Sequence, residues 1–244
     1  MLTLGVDLAS ADERTALALV EWTGASAVVR DLRLGASDPE LIDAIRAADK
    51  AGLDCPLGWP SLFTDFVAAQ RTGNWQPVPA DAAWRRGLAY RVTDLVVRAE
   101  AGLNPLSVAA DRIAYVAFRG ANLLAHLAAV GIPIDRTGAG RVVEVYPAAA
   151  LRRWGLTHRG YKRPGQASLV DELQAAAPWL DLGAFEPLAR RSHDAFDALI
   201  AALATRAAAL GLALPPTVAQ LEAARAEGWI ALPTSELGDL VPST

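Results

Sequence analysis

Residues 2–54 read LTLGVDLASADERTALALVEWTGASAVVRDLRLGASDPELIDAIRAADKAGLD. Leu2–Leu8, Thr15–Trp22 and Ala27–Leu34 are rich in aliphatic residues and are parted by turn-prone segments at Ala9–Arg14 and Thr23–Ser26, which predicts three strands in an antiparallel meander. Asp38-Pro39-Glu40 then opens a helix to about Lys50, with Asp38 as cap, Pro39 at the first helical position and Leu41, Ile42 and Ile45 as the apolar stripe. Ala51–Asp54 is a short strand that Pro56 stops, because proline has no N–H for a ladder bond. A right-handed helical crossover returns this fourth strand beside the first and parallel to it. Asp7 and Asp54, each at the end of an apolar strand, then become neighbours.

Beyond Pro56 the character changes. Residues 56–140, with many Trp, Arg, Pro and Gly, read as a largely helical insertion within a single 1–244 domain. Helices are expected around Tyr90–Ala101 and Ile113–Val130, with Gln76-Pro77-Val78-Pro79 as a loop. Arg141–Tyr146 returns to strand character until Pro147, and a helix starts near Ala148. A loop at Gly160–Gly165 leads to helices at Ala167–Ala177 and Ser192–Leu210. Pro215-Pro216, a helix to Glu227 and a strand-like Trp229–Leu232 complete the chain. The expectation is an α/β fold: a mixed five-stranded sheet, three antiparallel strands followed by parallel ones, flanked by helices.

At 244 residues and 52% hydrophobic content the chain can bury a substantial core. No apolar run reaches the roughly 20 residues of a membrane span, and the N-terminus enters a strand with no signal-like apolar core, so a cytoplasmic protein away from membranes is expected. Cys55 is the one cysteine, which excludes an intrachain disulfide and a cysteine zinc cluster. Metal binding would fall to oxygen ligands. A net charge of −4 lacks the basic balance of a tight nucleic-acid binder, although Arg85-Arg86, Arg152-Arg153 and Lys162-Arg163 offer local basic clusters or, equally, solvated surface. Monomer and homodimer are both compatible with this composition.

Four aspartates stand out. Asp7 is a metal ligand at a strand's carboxyl end or a residue bonding the next turn; Asp54, before Cys55-Pro56, is a ligand at the sheet edge or a turn initiator. In Ser192-His193-Asp194-Ala195-Phe196-Asp197-Ala198, Asp194 and Asp197 lie three apart and share one helix face, continued by Ala198, Ala201 and Thr205. Ser192 suits the cap, and Asp194 in the first turn also complements the helix dipole. Four carboxylates would suit two Mg²⁺ or Mn²⁺ ions about 4 Å apart that activate water and stabilise a leaving oxygen in phosphodiester cleavage. Glu144 is a fifth acid, a supporting group or an outward strand residue. Arg91 and Asp94, three apart, form a local ion pair, or Arg91 reaches a substrate phosphate. Lys162, in a glycine-bounded loop with Tyr161, contacts phosphate or solvent. His193 transfers a proton or supports the cap. Trp59, Trp75 and Trp84 serve base stacking or packing.

Gly5-Val6-Asp7, Asp54-Cys55-Pro56-Leu57-Gly58, Tyr90-Arg91-Val92-Thr93-Asp94, Glu144-Val145-Tyr146-Pro147, Tyr161-Lys162, His193-Asp194-Ala195-Phe196-Asp197-Ala198 and Glu227-Gly228-Trp229-Ile230 resemble the family known as domain of unknown function 429. The resemblance implies a ribonuclease H-like fold and a nuclease activity on a nucleic-acid substrate. It is also similar to the Holliday-junction resolvases of that superfamily, whose first-strand acid, fourth-strand acid and two late-helix acids bind the ions. Asp7, Asp54, Asp194 and Asp197 match those roles, with aspartate at 54 where the resolvases carry the longer glutamate. Fold does not dictate activity. A Mg-nucleotide phosphotransferase or ATPase of the same superfamily, and a non-catalytic scaffold, stay open. Asp7-Leu8-Ala9-Ser10 only weakly echoes a phosphate loop.

Overall fold

The computed structural model describes residues 1–74, 77–78, 81–160 and 167–242. In chain order the elements are β1 (Leu2–Asp7), β2 (Ala16–Thr23), β3 (Ser26–Leu34), α1 (Asp38–Ala47) and β4 (Lys50–Asp54). Next come α2 (Ser61–Thr72), α3 (Ala82–Ala89), α4 (Val92–Ala101), α5 (Ala114–Ala129), β5 (Val142–Glu144), α6 (Pro147–Arg153) and α7 (Ala167–Ala176). They are followed by β6 (Leu180–Asp181), α8 (Glu186–Arg191), α9 (His193–Ala209) and α10 (Leu221–Glu227).

One mixed sheet runs β5-β4-β1-β2-β3-β6. The expected meander forms: β1 pairs antiparallel with β2, and β2 with β3. The α1 crossover brings β4 parallel to β1, with β5 parallel to β4 beyond it. The sheet has six strands rather than five. The extra strand, β6, has two residues that pair with Ala27 and Val28 on β3, too short to display a period-two pattern. Trp229–Leu232, read as a strand, instead touches the free side of β5: Ile230 bridges to Glu144, and the Ala231 N–H donates to the Glu144 carbonyl at 2.9 Å.

Helices cover both faces. One apolar core joins the sheet to α6, α7, α8 and α9; the other joins it to α1 and α5. In α9 the residues from Ala195 to Thr205 are all buried, as expected of a helix covered on every side. It lies so close to the sheet that a Cβ on Gly5 would overlap backbone atoms of Ala198 and Ala202, and one on Gly52 would overlap Thr205 Oγ1. Hydroxyls use the proximity. Thr3 Oγ1 donates to the Ala202 carbonyl at 3.2 Å, and Thr205 Oγ1 to the Ala201 carbonyl at 2.7 Å.

Helix α1 is capped by Ser37, not Asp38. Glu40 reaches back to accept from the Ser37 N–H at 2.9 Å and the Ser37 hydroxyl at 2.6 Å. The Asp38 carboxylate is instead drawn to Arg119 Nε at 2.7 Å. The residues between β4 and β5 carry α2 to α5. Helices α2 and α3, which sequence left irregular, have no fully buried residue and so no core-facing stripe to reveal them. Among the described residues, no helix is long and apolar enough to cross a membrane.

Candidate active site

Asp7 and Asp54 are register partners at the carboxyl ends of β1 and β4. Neighbouring strands lie about 4.8 Å apart, and paired residues of parallel strands point the same way. Gly5 and Gly52, two residues earlier, both face α9. Side chains alternate with period two, so Asp7 and Asp54 also face the α9 side.

Helix α9 runs against β1. Ala202 meets Thr3, and Ala198, one turn earlier in the helix, lies over Gly5, further along the strand. Its N-terminal turn therefore reaches the edge where Asp7 and Asp54 emerge. Asp197 is 1% exposed and lines, with Asp54, a cleft of about 510 Å³. Ser192 caps the helix as expected, its hydroxyl accepting from the Ala195 N–H at 3.2 Å. Asp194 is turned elsewhere: its Oδ1 lies 3.3 Å from Arg14 Nη2 and 2.7 Å from His193 Nδ1. The two acids of the helix thus have different surroundings, Asp197 in the cleft wall and Asp194 at the turn after β1.

Glu144 and Arg91 also border this cleft, but the Glu144 side chain points to the other face of the sheet. Glu144 pairs in register with Leu53, one residue before Asp54, so alternation sends its side chain away from the α9 side. There it meets Arg91. Arg91 Nη1 and Nη2 donate to Glu144 at 2.8 and 2.7 Å, Nη2 and Nε donate to Asp94 at 2.9 and 3.2 Å, and Nη1 donates to the Glu227 carbonyl at 3.2 Å. A guanidinium has five N–H groups, and these contacts account for all of them. The local ion-pair reading of Arg91 and Asp94 describes this geometry, extended by Glu144, and no donor is left over for a substrate phosphate. Burial alone would lower the Arg91 pKa, but Glu144 and Asp94 outweigh it and hold the guanidinium firmly charged. Burial pushes the Glu144 carboxyl up, while Arg91 and the Leu57 N–H, 3.0 Å from Oε2, pull the other way.

The Glu227 carboxylate lies against this cluster and accepts from the Ser61 N–H and the Val92 N–H, each at 2.8 Å. One side chain thereby serves the first residues of both α2 and α4, where backbone N–H groups lack helical partners. The motif Glu227-Gly228-Trp229-Ile230 marked the residue, but not this role, because its partners lie 166 and 135 residues away.

The cleft also holds Tyr146, marked in advance only as part of Glu144-Val145-Tyr146-Pro147, and His158, which the sequence did not mark. His158 Nε2 lies 3.2 Å from Arg152 Nη1. Its position three residues before the glycine-bounded Tyr161-Lys162 pair was the available signal. Cys55 is another cleft residue. Burial, with Glu144 and Asp54 nearby, pushes its thiol well above the usual range. Lys162, Tyr161 and Trp75 lie outside the described residues. Trp59 stacks on Phe118, with centroids 5.9 Å apart, and Trp84 meets Phe66 edge-on at 5.7 Å.

The donors along this edge are carboxylate oxygens, which suit a hard divalent cation. Among the described residues, no group of three or more His, Cys, Asp or Glu side chains is already gathered to hold a metal ion. The backbone aligns Asp7 with Asp54 and brings Asp197 to the same cleft as Asp54; the side chains are not closed around one point.

A family model matches residues 5–220, most of the chain. The protein belongs to the family described as Protein of unknown function (DUF429). The DUF429 match takes in Asp7, Asp54, Asp94, Glu144, Asp194 and Asp197, and ends before Glu227-Gly228-Trp229-Ile230. No curated protein and no solved structure matches this DUF429 chain.

Proposed function

We propose that this DUF429 protein is a divalent-metal-dependent phosphodiester hydrolase acting on nucleic acid, built on a ribonuclease H-like fold. The observation that carries the reading is the register pairing of Asp7 with Asp54 on the face covered by the N-terminal turn of α9. The sheet order, with β4 returning beside β1 after a three-stranded meander, supports the fold assignment. Asp7 and Asp54 would hold Mg²⁺ or Mn²⁺, with Asp197 as the next donor and Asp194 at the periphery. A bound ion, or a pair of them, supplies an activated water and charge stabilisation for the departing oxygen. The protein contributes the rest: α9 is locked to the sheet at Gly5 and Gly52, so its acids keep a fixed distance from the strand ends. The positive end of its dipole also favours an anionic group in the cleft.

The test is cleavage of labelled single-stranded, duplex, hybrid and branched nucleic acids in Mg²⁺ or Mn²⁺, beside Asp7→Asn purified in the same way. Turnover by the parent is expected to fall by at least a hundredfold in Asp7→Asn, with the thermal midpoint in EDTA unchanged. In the parent alone, millimolar Mn²⁺ raises that midpoint, because an ion bound by the folded state stabilises it. Equal cleavage by the two proteins, or no cleavage and no ion-dependent stabilisation, would sink the reading.

A further inference from the structure

Beside the cleft lies an aromatic groove with a volume of about 530 Å³, formed by Trp59, Phe63, Val67 and Phe118 with Thr64 and Arg71. We infer that it binds an unpaired nucleobase by stacking, with Arg71 taking an adjacent phosphate, so that the preferred substrate is single-stranded or locally unpaired. This rests on the phosphodiester-hydrolase reading of the neighbouring cleft.

The rings are arranged for it. Trp59 and Phe118 are stacked at 5.9 Å with an interplanar angle of 22°, and Tyr115 stands edge-on to Phe118 at 6.3 Å. Phe118 is nonetheless 58% exposed and Tyr115 68%. An unpaired base extends such a stack at little ordering cost, because the platform is fixed before binding. Arg119, the next residue to Phe118, anchors α5 by donating to Asp38, Asp12, Thr15 and the carbonyls of Ala9 and Ala36. Gly120 packs against Cys55, where a Cβ would lie 3.0 Å from Sγ.

The same elements border the cleft. Cys55 and Pro56 line it, as does Ile113 at the start of α5. Phe118 follows Ile113 by five residues, roughly 7.5 Å along a helix axis, so the aromatic platform lies within reach of a strand whose phosphodiester sits near Asp54. Charge favours nucleic acid over a second protein copy. Arg71 is the charged side chain among the described groove residues, and it shares one helix face with Thr64, Val67 and Ala68, where a phosphate would neutralise it. Self-association about a two-fold axis through this groove would bring the two Arg71 side chains together, whereas a nucleic-acid phosphate pairs with one.

The experiment measures binding without turnover: anisotropy of a labelled single-stranded oligonucleotide and of its duplex, in EDTA over a salt series. It uses the full-length parent, Phe118→Ala and Arg71→Gln, with the oligomeric state of each followed by sedimentation. Single strands are expected to bind more tightly than duplex, and Phe118→Ala to weaken them roughly five- to a hundredfold. Arg71→Gln should lower the slope of log K against log salt by about 0.7. Both side chains are exposed, so circular dichroism should find the variants folded. Parent-like binding by both variants, no binding by the parent, or a parent dimer that Phe118→Ala dissociates would each overturn the assignment. The two readings fail separately. Phe118-dependent binding without any cleavage leaves the groove as a nucleic-acid site and removes the active site, whereas Asp7-dependent cleavage with unaffected variants does the reverse.

Discussion

Arg91 is buried with every donor committed, so its loss strands two carboxylates rather than one. Arg91→Leu leaves Glu144 and Asp94 without their cation in a low-dielectric site, and a broken buried pair costs about 3–5 kcal/mol. Urea denaturation should record a loss of that size. Arg91→Lys should recover little of it, because an ammonium has three donors and no planar fork to match two carboxylates. A parent-like midpoint in Arg91→Leu would remove the cluster from the list of stabilising features. Residue identity made parts of this site readable in advance. Asp7 and Asp54 interrupt apolar strands, and Asp194 and Asp197 share a helix face. What alternation along β5 does to Glu144 could not be read until its register with Leu53 was known.

Helix α9 and strands β1 and β4 behave as one block because glycine removes the side chain at each contact. Gly5→Ala forces a methyl group into the backbone of α9, and overpacking of this kind costs about 1–3 kcal/mol or more. The substitution should lower the denaturation midpoint and also reduce the proposed phosphodiester hydrolysis, since the shift moves Asp197 relative to Asp7; unchanged stability would mean that α9 is looser than described. At the start of α1, the Ser37 hydroxyl and N–H hold the Glu40 carboxyl below its ordinary value of 4.5. A depressed carboxylate contributes stability above the unfolded pKa and loses it as pH falls through the lowered folded one. Glu40→Gln should therefore flatten the acid limb of the stability curve below about pH 4.5 and leave its shape at neutral pH alone. Helix α1, with its buried stripe, and α9, apolar along most of its length, were legible in the sequence. Helices α2 and α3, held by neighbours along exposed surfaces, offered no periodic stripe to find.

Across the molecule, the order of three strands, crossover helix and parallel strand carried most of the architecture. Besides α2, α3 and α8, the misses sit at the margins of the sheet, in β6 with its two residues and in the segment at 229–232, which joins the sheet's edge by a single bridge. Those margins depend on contacts between distant parts of the chain, which local pattern does not encode. Glu227 is the extreme case, and it sets a sequence of events in time. During synthesis the starts of α2 and α4 leave the ribosome with their amides open to water, and the carboxylate that accepts from them arrives after more than a hundred further residues. A chain ending at Gln220 should show fast amide exchange at Ser61 and Val92, and the 244-residue chain slow exchange at both. Helix α10 is thus a clasp that closes over segments made long before it.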